Sequence, residues 1–359
     1  MKRRVVIVGP TRYRLPLNES LVKKFEALEQ HFELRVLARG EGEDDRFRFL
    51  PGGYRFYAEL PTRLASELRS FQPDAVLAQD PHTAAGVLAA RKLARRKTPL
   101  ILEVHGNWRT AARLYGSPAR KLLGPASDVV AAQAVKRVDG VRTISPYTTR
   151  LVRELGVEPD GVLPTFTDLD PFLVPPVPLP ERPVALFVGV LEHYKGIDEL
   201  AEAWRIVAEQ VPGATLHLVG RGTRREVVER LVADLPDRTE WTDVLPTEGV
   251  ARALDDATTL VLPSRSEGMG RVLVEAFCRG RPAVASRVGG IVDLVRDGEN
   301  GLLVSPQDPQ ALAEALRRVL SDAAVAERLA AGAAASADSW VATPEEYAAR
   351  LEALVAGLR

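Results

Sequence analysis

The segment PSRSEGMGRVLVEA, Pro263 to Ala276, decides how this chain folds around its chemistry. Leu260–Leu262 just before it is a short apolar run of strand type, and from Arg271 to Cys278 the apolar residues fall at helical spacing. A strand therefore passes through a glycine-bearing loop into a helix. Glu267 lies in the loop and Glu275 eight positions later, about two helical turns on. Gly268 and Gly270 let backbone come close to a ligand, and the helix N-terminus behind them offers unpaired N–H groups to an anion. Amides for a diphosphate, flanked by carboxylates that accept from sugar hydroxyls, suit a nucleotide sugar. Two glutamates at this spacing, taken alone, are more simply two solvated residues; the strand and the glycines change that balance.

Outward from this segment, β-rich apolar runs alternate with amphipathic stretches, the pattern of parallel sheets covered by helices on both faces. In the first half the spacing predicts strands at Val5–Val8, Glu33–Leu37, Ala75–Ala78, Leu100–Val104 and Gly140–Ile144. Helices are expected around Leu17–Gln30, Pro61–Phe71, Thr83–Lys97 and Tyr147–Leu155. Six prolines between Pro171 and Pro183, with no helical period, read as an extended linker. The alternation then restarts, with strands at Val184–Val188, Thr215–Val219, Leu260–Leu262, Ala283–Ser286 and Gly301–Val304. Helices are expected at Asp198–Gln210, Arg224–Asp234, Arg271–Cys278, Pro309–Leu320 and Pro344–Leu358. The expected fold class is α/β, with two Rossmann-like domains facing across a cleft, and ligands outside the carboxyl ends of the strands.

A chain of 359 residues, 46% hydrophobic and 27% charged, can bury a large core in two domains. The start MKRR followed by Val5–Val8 imitates a signal peptide, but the apolar run ends at once in Gly9 and Pro10, which suits a buried first strand. No stretch approaches a membrane-spanning length, and Cys278 alone makes neither a disulfide nor a cysteine-rich metal site. A cytoplasmic protein is expected. The formal net charge of zero argues against nucleic acid as a partner, yet it is a cancellation. Residues 1–170 hold 28 Lys and Arg against 20 Asp and Glu, and the remainder holds 20 against 28.

The Pro263–Ala276 segment resembles the E-x7-E signature of the family 4 retaining glycosyltransferases, and so do GGIVDLV (Gly289–Val295) and DGENGLLV (Asp297–Val304) after it. The likeness continues in FVGVLEHYKGID (Phe187–Asp198), LVGRG (Leu218–Gly222) and WTDVLP (Trp241–Pro246). The resemblance implies the GT-B architecture: an N-terminal acceptor-side domain at 1–170 joined by the last helix, about 343–359, a linker at 171–183, and a nucleotide-sugar domain at 184–342. It implies that Glu275 binds the ribose and that Glu267, with the amides of Met269, Gly270 and Arg271, holds donor sugar and diphosphate. Lys195 would neutralise phosphate and Val244 would meet the base through its backbone. Gly189, Gly220, Arg265, Gly268 and Val272 complete the implied donor side. Family members usually carry an arginine after the first of these glycines. Here Val190 stands there, a loss of about 1.5–3 kcal/mol of phosphate binding unless Arg265, Arg271 or Arg221 replaces it.

In the first half, LILEVHGNW (Leu100–Trp108) places His105 past a strand end. A lone histidine is more often structural, but the HG pair resembles the family's and implies a contact with the donor sugar or the reacting centre. Gly9 would approach the diphosphate, and Arg12 and Asp80 are acceptor-side candidates whose bland alternative is a surface ion pair. The run RKLARRK (Arg91–Lys97) ends a helix, where positive charge suits the macrodipole. With Arg109, Arg113, Arg120 and Lys121 it could instead draw this half to an anionic lipid or glycan at the inner face of a membrane.

The resemblance implies transfer from a nucleotide-diphosphate sugar, with no divalent metal or other cofactor, to a hydroxyl of a glycan, lipid-linked or small-molecule acceptor. Asp168-Leu169-Asp170 imitates a metal-binding DxD but lies away from the phosphate motifs. A GT-B epimerase or phosphorylase, a two-domain solute-binding protein and a silent sugar-nucleotide binder are the alternatives. Base, sugar, acceptor and oligomeric state stay open.

Overall fold

A computed structural model describes residues 2–110, 118–337 and 340–358, with side chains throughout except at 118–123. The chain divides into two compact units, Met1–Asp168 with Ala342–Arg359, and Leu169–Val341.

The first unit runs β1 (Arg3–Arg14), α1 (Glu19–His31), β2 (Phe32–Glu41), β3 (Phe47–Phe49), α2 (Tyr54–Ser70), β4 (Ala75–Ala78), α3 (Pro81–Ala94), β5 (Leu100–Val104), α4 (Pro118–Val135), β6 (Gly140–Thr143), α5 (Pro146–Arg153) and β7 (Gly161–Val162). Its seven strands lie in the order β3-β2-β1-β4-β5-β6-β7, all parallel. β4, β5 and β6 are buried along their whole length, as strands covered on both faces must be; β4 reads as an unbroken apolar run, whereas β5 and β6 bury the charged Glu103 and Arg142. The C-terminal helix, Pro344–Gly357, starts from a capping box between Thr343 and Glu346 and buries Tyr347, Ala348, Leu351 and Val355 in the core that holds Phe25 and Leu28 of α1.

The second unit opens with a 3-10 turn at Asp170–Phe172. It continues through β8 (Val184–Val188), α6 (Ile197–Gln210), β9 (Thr215–Val219), α7 (Arg225–Asp234), β10 (Thr239–Thr242), α8 (Thr247–Asp255), β11 (Thr259–Leu262), α9 (Arg271–Cys278), β12 (Ala283–Ser286), α10 (Ile291–Leu294), β13 (Gly301–Val304), α11 (Pro309–Ser321) and α12 (Ala323–Ala337). Six parallel strands lie in the order β10-β9-β8-β11-β12-β13, with a core built around the fully buried Trp204 of α6. Both sheets reverse direction beside their first strand, between β1 and β4 and between β8 and β11. That reversal opens a crevice at the carboxyl ends, the place where doubly wound sheets bind ligands.

Several expectations are corrected. β1 does not stop at Val8: it runs to Arg14, with its register against β2 shifted between Val8 and Arg12, so Gly9–Thr11 form a bulge inside the strand and not a loop after it. α2 begins at Tyr54, not Pro61: its buried face, Phe56, Leu60 and Leu64, starts before the proline and leaves Pro61 inside the helix. The short strands β3, β7 and β10 and the helices α4, α8, α10 and α12 are additional to those expected. The proline-rich stretch, expected as an extended linker, is held by side chains of the second unit. The buried guanidinium of Arg279 donates to Val174 O at 2.9 Å, and that of Arg281 to Val177 O at 2.9 Å and Pro178 O at 3.2 Å. Arg281 also donates to Leu254 O and Asp255 O, both at 2.8 Å, so the stretch is fastened to the second unit.

No helix among the described residues is long and apolar enough to cross a membrane.

Candidate functional site

In the second unit the loops after β8, β9, β10 and β11 carry most of the residues singled out above. Gly189 and Gly220 sit opposite each other past the ends of β8 and β9. A Cβ on Gly220, whose φ is +151°, would lie 1.8 Å from Gly189 O, so no other residue fits there. Gly220 is further held by its N–H on Thr242 O at 2.9 Å and its carbonyl under Trp241 Nε1 at 2.8 Å, which ties the end of β10, and exposed Val244 beyond it, to the same edge.

Lys195 closes the 3-10 turn His193–Lys195, and its Nζ donates to Glu267 Oε2 at 2.5 Å; both side chains are largely buried. The loop that carries Glu267 is backed by the Gly289–Gly290 turn. Gly290 N–H donates to Glu267 O at 3.0 Å, and a Cβ on either glycine would meet the carbonyl of Glu267 or Gly268 within about 2 Å. The GGIVDLV segment thus fixes the acidic loop. Gly270, in left-handed conformation, is the N-cap of α9 and offers no side-chain acceptor; Leu273 N–H donates to Gly270 O at 2.9 Å, and the Arg271 and Val272 amides before it are left for a ligand. Met269 is buried beneath the loop, Val272 is half-buried on α9 and Arg271 is exposed.

Glu275 faces the same side with no hydrogen-bond partner among the described residues. Burial pushes its carboxyl up from the usual range, opposed by the Arg271 guanidinium. A carboxylate in that state gains from any hydroxyl donor brought to it.

The cations around the site are mostly spoken for. Arg265 Nη2 pairs with the buried Glu199 at 2.5 Å and its Nη1 donates to His193 Nε2 at 2.8 Å and Gln307 Oε1 at 3.1 Å. Arg224 pairs with Asp198 at 3.0 Å. Arg221 and Arg271 are exposed and form no ion pair or side-chain hydrogen bond among the described residues. Val190 is exposed, and because Val188 is paired with Val219 and Leu191 N–H donates to Arg221 O, Arg221 is its neighbour across the strands. Glu199, His193 and Gln307 were not singled out from the sequence. The acidic first turn of α6 was visible there, but its pairing with a residue 66 positions away was not.

In the first unit, Asp80 and His105 follow the carboxyl ends of β4 and β5, and Gly9 lies in the bulge of β1, the neighbour of β4 in the sheet. Gly9 is pressed on Gln79, whose Oε1 a Cβ would approach to 2.1 Å and which accepts from Thr11 Oγ1 at 2.8 Å. Asp80 is the N-cap of α3, accepting from His82 N–H at 2.9 Å, Thr83 N–H at 3.0 Å and the Thr83 hydroxyl. Burial would raise its carboxyl, but these bonds and His82 hold it below the usual range. Its oxygens are thus occupied within the helix start. Arg12 stands in an exposed ion pair with Glu41 at 3.6 Å, the bland reading of that residue.

His105 is held at both ring nitrogens: Nε2 lies 3.3 Å from Glu103 Oε2 and Nδ1 3.2 Å from Thr165 Oγ1. Glu103 in turn pairs with the buried guanidinium of Arg142, which donates to Leu163 O and Pro164 O, both at 3.0 Å, and to Tyr347 Oη at 3.2 Å. Burial alone would raise the Glu103 carboxyl; Arg142, His105 and Lys24 hold it at about 2 instead. An ionised Glu103 accepts a hydrogen bond from Nε2–H, leaving Nδ1 to accept one from the Thr165 hydroxyl.

Among the described residues no three His, Cys, Asp or Glu side chains converge as metal ligands. Asp168 pairs with Lys23 at 3.1 Å while Asp170 opens the 3-10 turn of the next unit. Arg113 lies outside the described residues, as do the side chains of Arg120 and Lys121.

The fold is that of the GT-B proteins. Over 99% of both chains it matches sucrose-phosphate synthase from Thermosynechococcus elongatus with a TM-score of 0.81 at 22% identity. It matches Anabaena HepE, solved in complex with UDP, with a TM-score of 0.72 at 18% identity over 99% of this chain and 100% of that one. Two family models then divide the chain between them: residues 3–165 match a glycosyl transferase 4-like domain and residues 182–322 match glycosyl transferases group 1. Each half therefore matches a glycosyl transferase domain model, on the GT-B fold. Among relatives, the 2-deoxystreptamine glucosyltransferase of Streptomyces kanamyceticus is 32% identical over 67% of this chain and 65% of its own length. The D-inositol 3-phosphate glycosyltransferase of Acidothermus cellulolyticus is 33% identical over 67% and 58%. The sulfoquinovosyl transferase SQD2 of Arabidopsis thaliana is 26% identical over 73% and 53%, so the chain spans between about half and two thirds of these relatives.

Proposed function

We propose that this protein is a retaining glycosyltransferase that moves a sugar from a nucleoside diphosphate to an acceptor hydroxyl without a divalent metal. The observation that carries the reading is the Lys195–Glu267 pair set at the uncapped N-terminus of α9, with unpartnered Glu275 further along the same helix. A diphosphate docked on the α9 amides meets free N–H groups and the positive end of the helix. Lys195 then exchanges Glu267 for phosphate, which releases the carboxylate to accept from hydroxyls of the donor sugar. Glu275 accepts from the ribose. Arg221, beside Val190, and Arg271, which forms no ion pair within contact distance among the described residues, supply the remaining positive charge. Fixed cations and amides are what stabilise the negative charge that builds on the leaving diphosphate.

In the transfer, the acceptor oxygen bonds to the anomeric carbon on the face that the diphosphate leaves. The bond from that carbon to the phosphate oxygen breaks, and the acceptor proton passes to the departing phosphate. His105 offers a ring nitrogen to a ligand by giving up its bond to Thr165 or to Glu103. UDP sugars are the first donors to test, since HepE was solved with UDP and with UDP-glucose.

The test is UDP release and product formation from UDP sugars in EDTA over a panel of glycan, lipid-linked and small-molecule acceptors, with product configuration read by NMR. Retained anomeric configuration is expected, with kcat/KM lower by on the order of 10²–10³ in Lys195→Ala. An inverted product, or activity that EDTA abolishes and magnesium restores, contradicts the proposal.

A further inference from the structure

Arg91, Lys92, Arg95, Arg96 and Lys97 at the end of α3, with Arg137 just past α4, line one cavity of about 1000 Å³. α3 leaves the carboxyl end of β4 and returns to the amino end of β5, so its last residues lie at the opposite edge of the sheet from Asp80 and His105. Fourteen residues of helix put about 20 Å between the two edges. The cavity therefore belongs to neither the donor nor the acceptor chemistry above.

Of its six cations only Arg91 has a partner, Asp139, at 2.7 Å, and the same Asp139 oxygen also accepts Leu100 N–H at 2.8 Å. The other five form no ion pair or side-chain hydrogen bond among the described residues. Capping of α3 does not explain them. The carbonyls of Arg91 and Lys92 already accept backbone N–H groups of Arg95 and Arg96, and the Leu93 carbonyl accepts from Arg69 of α2. The macrodipole favours Arg91 and Lys92 in the last turn, but Arg96 and Lys97 lie beyond it and Arg137 comes from another segment. Arg95 stands at φ +54°, the left-handed position that glycine usually takes at a helix end, so a bulky cation is kept where the backbone disfavours it. Leu88, Val130 and Ala134 give the cavity an apolar wall between the charges.

We propose that this cavity is a second binding site, for a multiply phosphorylated ligand. Five uncompensated cations around one space repel one another until anions enter, guanidinium forks match phosphate oxygens, and the volume exceeds what a single phosphate fills. A free polyphosphate and the headgroup of a phosphorylated lipid present the same chemistry.

The experiment uses the full chain at physiological salt. Titration calorimetry with tripolyphosphate and inositol hexakisphosphate is run beside co-sedimentation with phosphatidylcholine vesicles, with and without phosphatidylinositol bisphosphate. The variants are Arg95→Glu/Arg96→Glu/Arg137→Glu and a charge-matched control on the second unit, Arg182→Glu/Arg230→Glu/Arg318→Glu. Removing three charge-assisted contacts is expected to cost more than about tenfold in affinity, with little change in the control. Binding of the free phosphates assigns a soluble ligand, and binding of the bisphosphate vesicles alone assigns a lipid headgroup. The proposal is overturned if neither binds or if the control loses as much as the cavity variant.

Discussion

Arg142 is the residue on which the first unit turns. It lies in the middle of β6, fully buried, and each of its three nitrogens is hydrogen-bonded: to Glu103 of β5, two backbone carbonyls after β7 and the Tyr347 hydroxyl of the C-terminal helix. Sequence reading placed the strand at Gly140–Ile144 but gave no reason for a charge inside it, because the partners lie 39, 21, 22 and 205 positions away. Breaking such a pair leaves a buried carboxylate uncompensated, so Arg142→Met is expected to cost about 3–5 kcal/mol. Adding Glu103→Gln should return part of that loss, and denaturant melts that show no recovery in the double variant would contradict the pairing. The sign of the pH effect follows from Glu103. Its folded value of about 2 lies below the ordinary carboxylate range, so its contribution is complete above that range and is lost as pH falls towards 2. His105 was singled out as chemistry from the HG pair, yet its two nitrogen contacts join it to this same structural network.

At the scale of elements, the strands that pass through each sheet's centre were the most legible, because burial on both faces writes an unbroken apolar run such as Val5–Val8 or Ala75–Ala78. The edge strands β3, β7 and β10 are two to four residues long and half exposed, too short to stand out from loops. α12 is rich in alanine and lacks an amphipathic stripe, so it passed unmarked. The Pro263–Ala276 segment was legible for a different reason. Its glycines and glutamates are contiguous in sequence, whereas Glu199 and the Arg279–Arg281 clamp act on residues far along the chain. The clamp carries its own prediction. Arg281 holds four carbonyls, two of them in the proline-rich stretch, so Arg281→Met leaves those groups without their donor and should destabilise the second unit by several kcal/mol. Limited proteolysis should then cut first within 171–183; unchanged cleavage would mean that the clamp does not hold the stretch.

For the whole molecule, the two sheets repeat one topology, and each places its reversal of strand order beside its first strand, where its candidate residues gather. The second unit is the better defined of the two chemically: Lys195, Glu267 and the α9 amides are in place, and Glu275 waits without a partner. That arrangement links binding to pH. Burial raises Glu275, and a bound ribose favours its charged form, so nucleotide affinity should rise as pH climbs through the carboxyl's raised value and level off above it. The most direct test is thermal stabilisation of the full chain by UDP, GDP, ADP and dTDP in EDTA, across this pH range, with wild type and Glu275→Ala side by side. The account predicts a clear shift for one nucleotide, growing with pH and largely lost in the variant. No shift for any nucleotide, or an equal shift in Glu275→Ala, would contradict the assignment of this edge as the donor site.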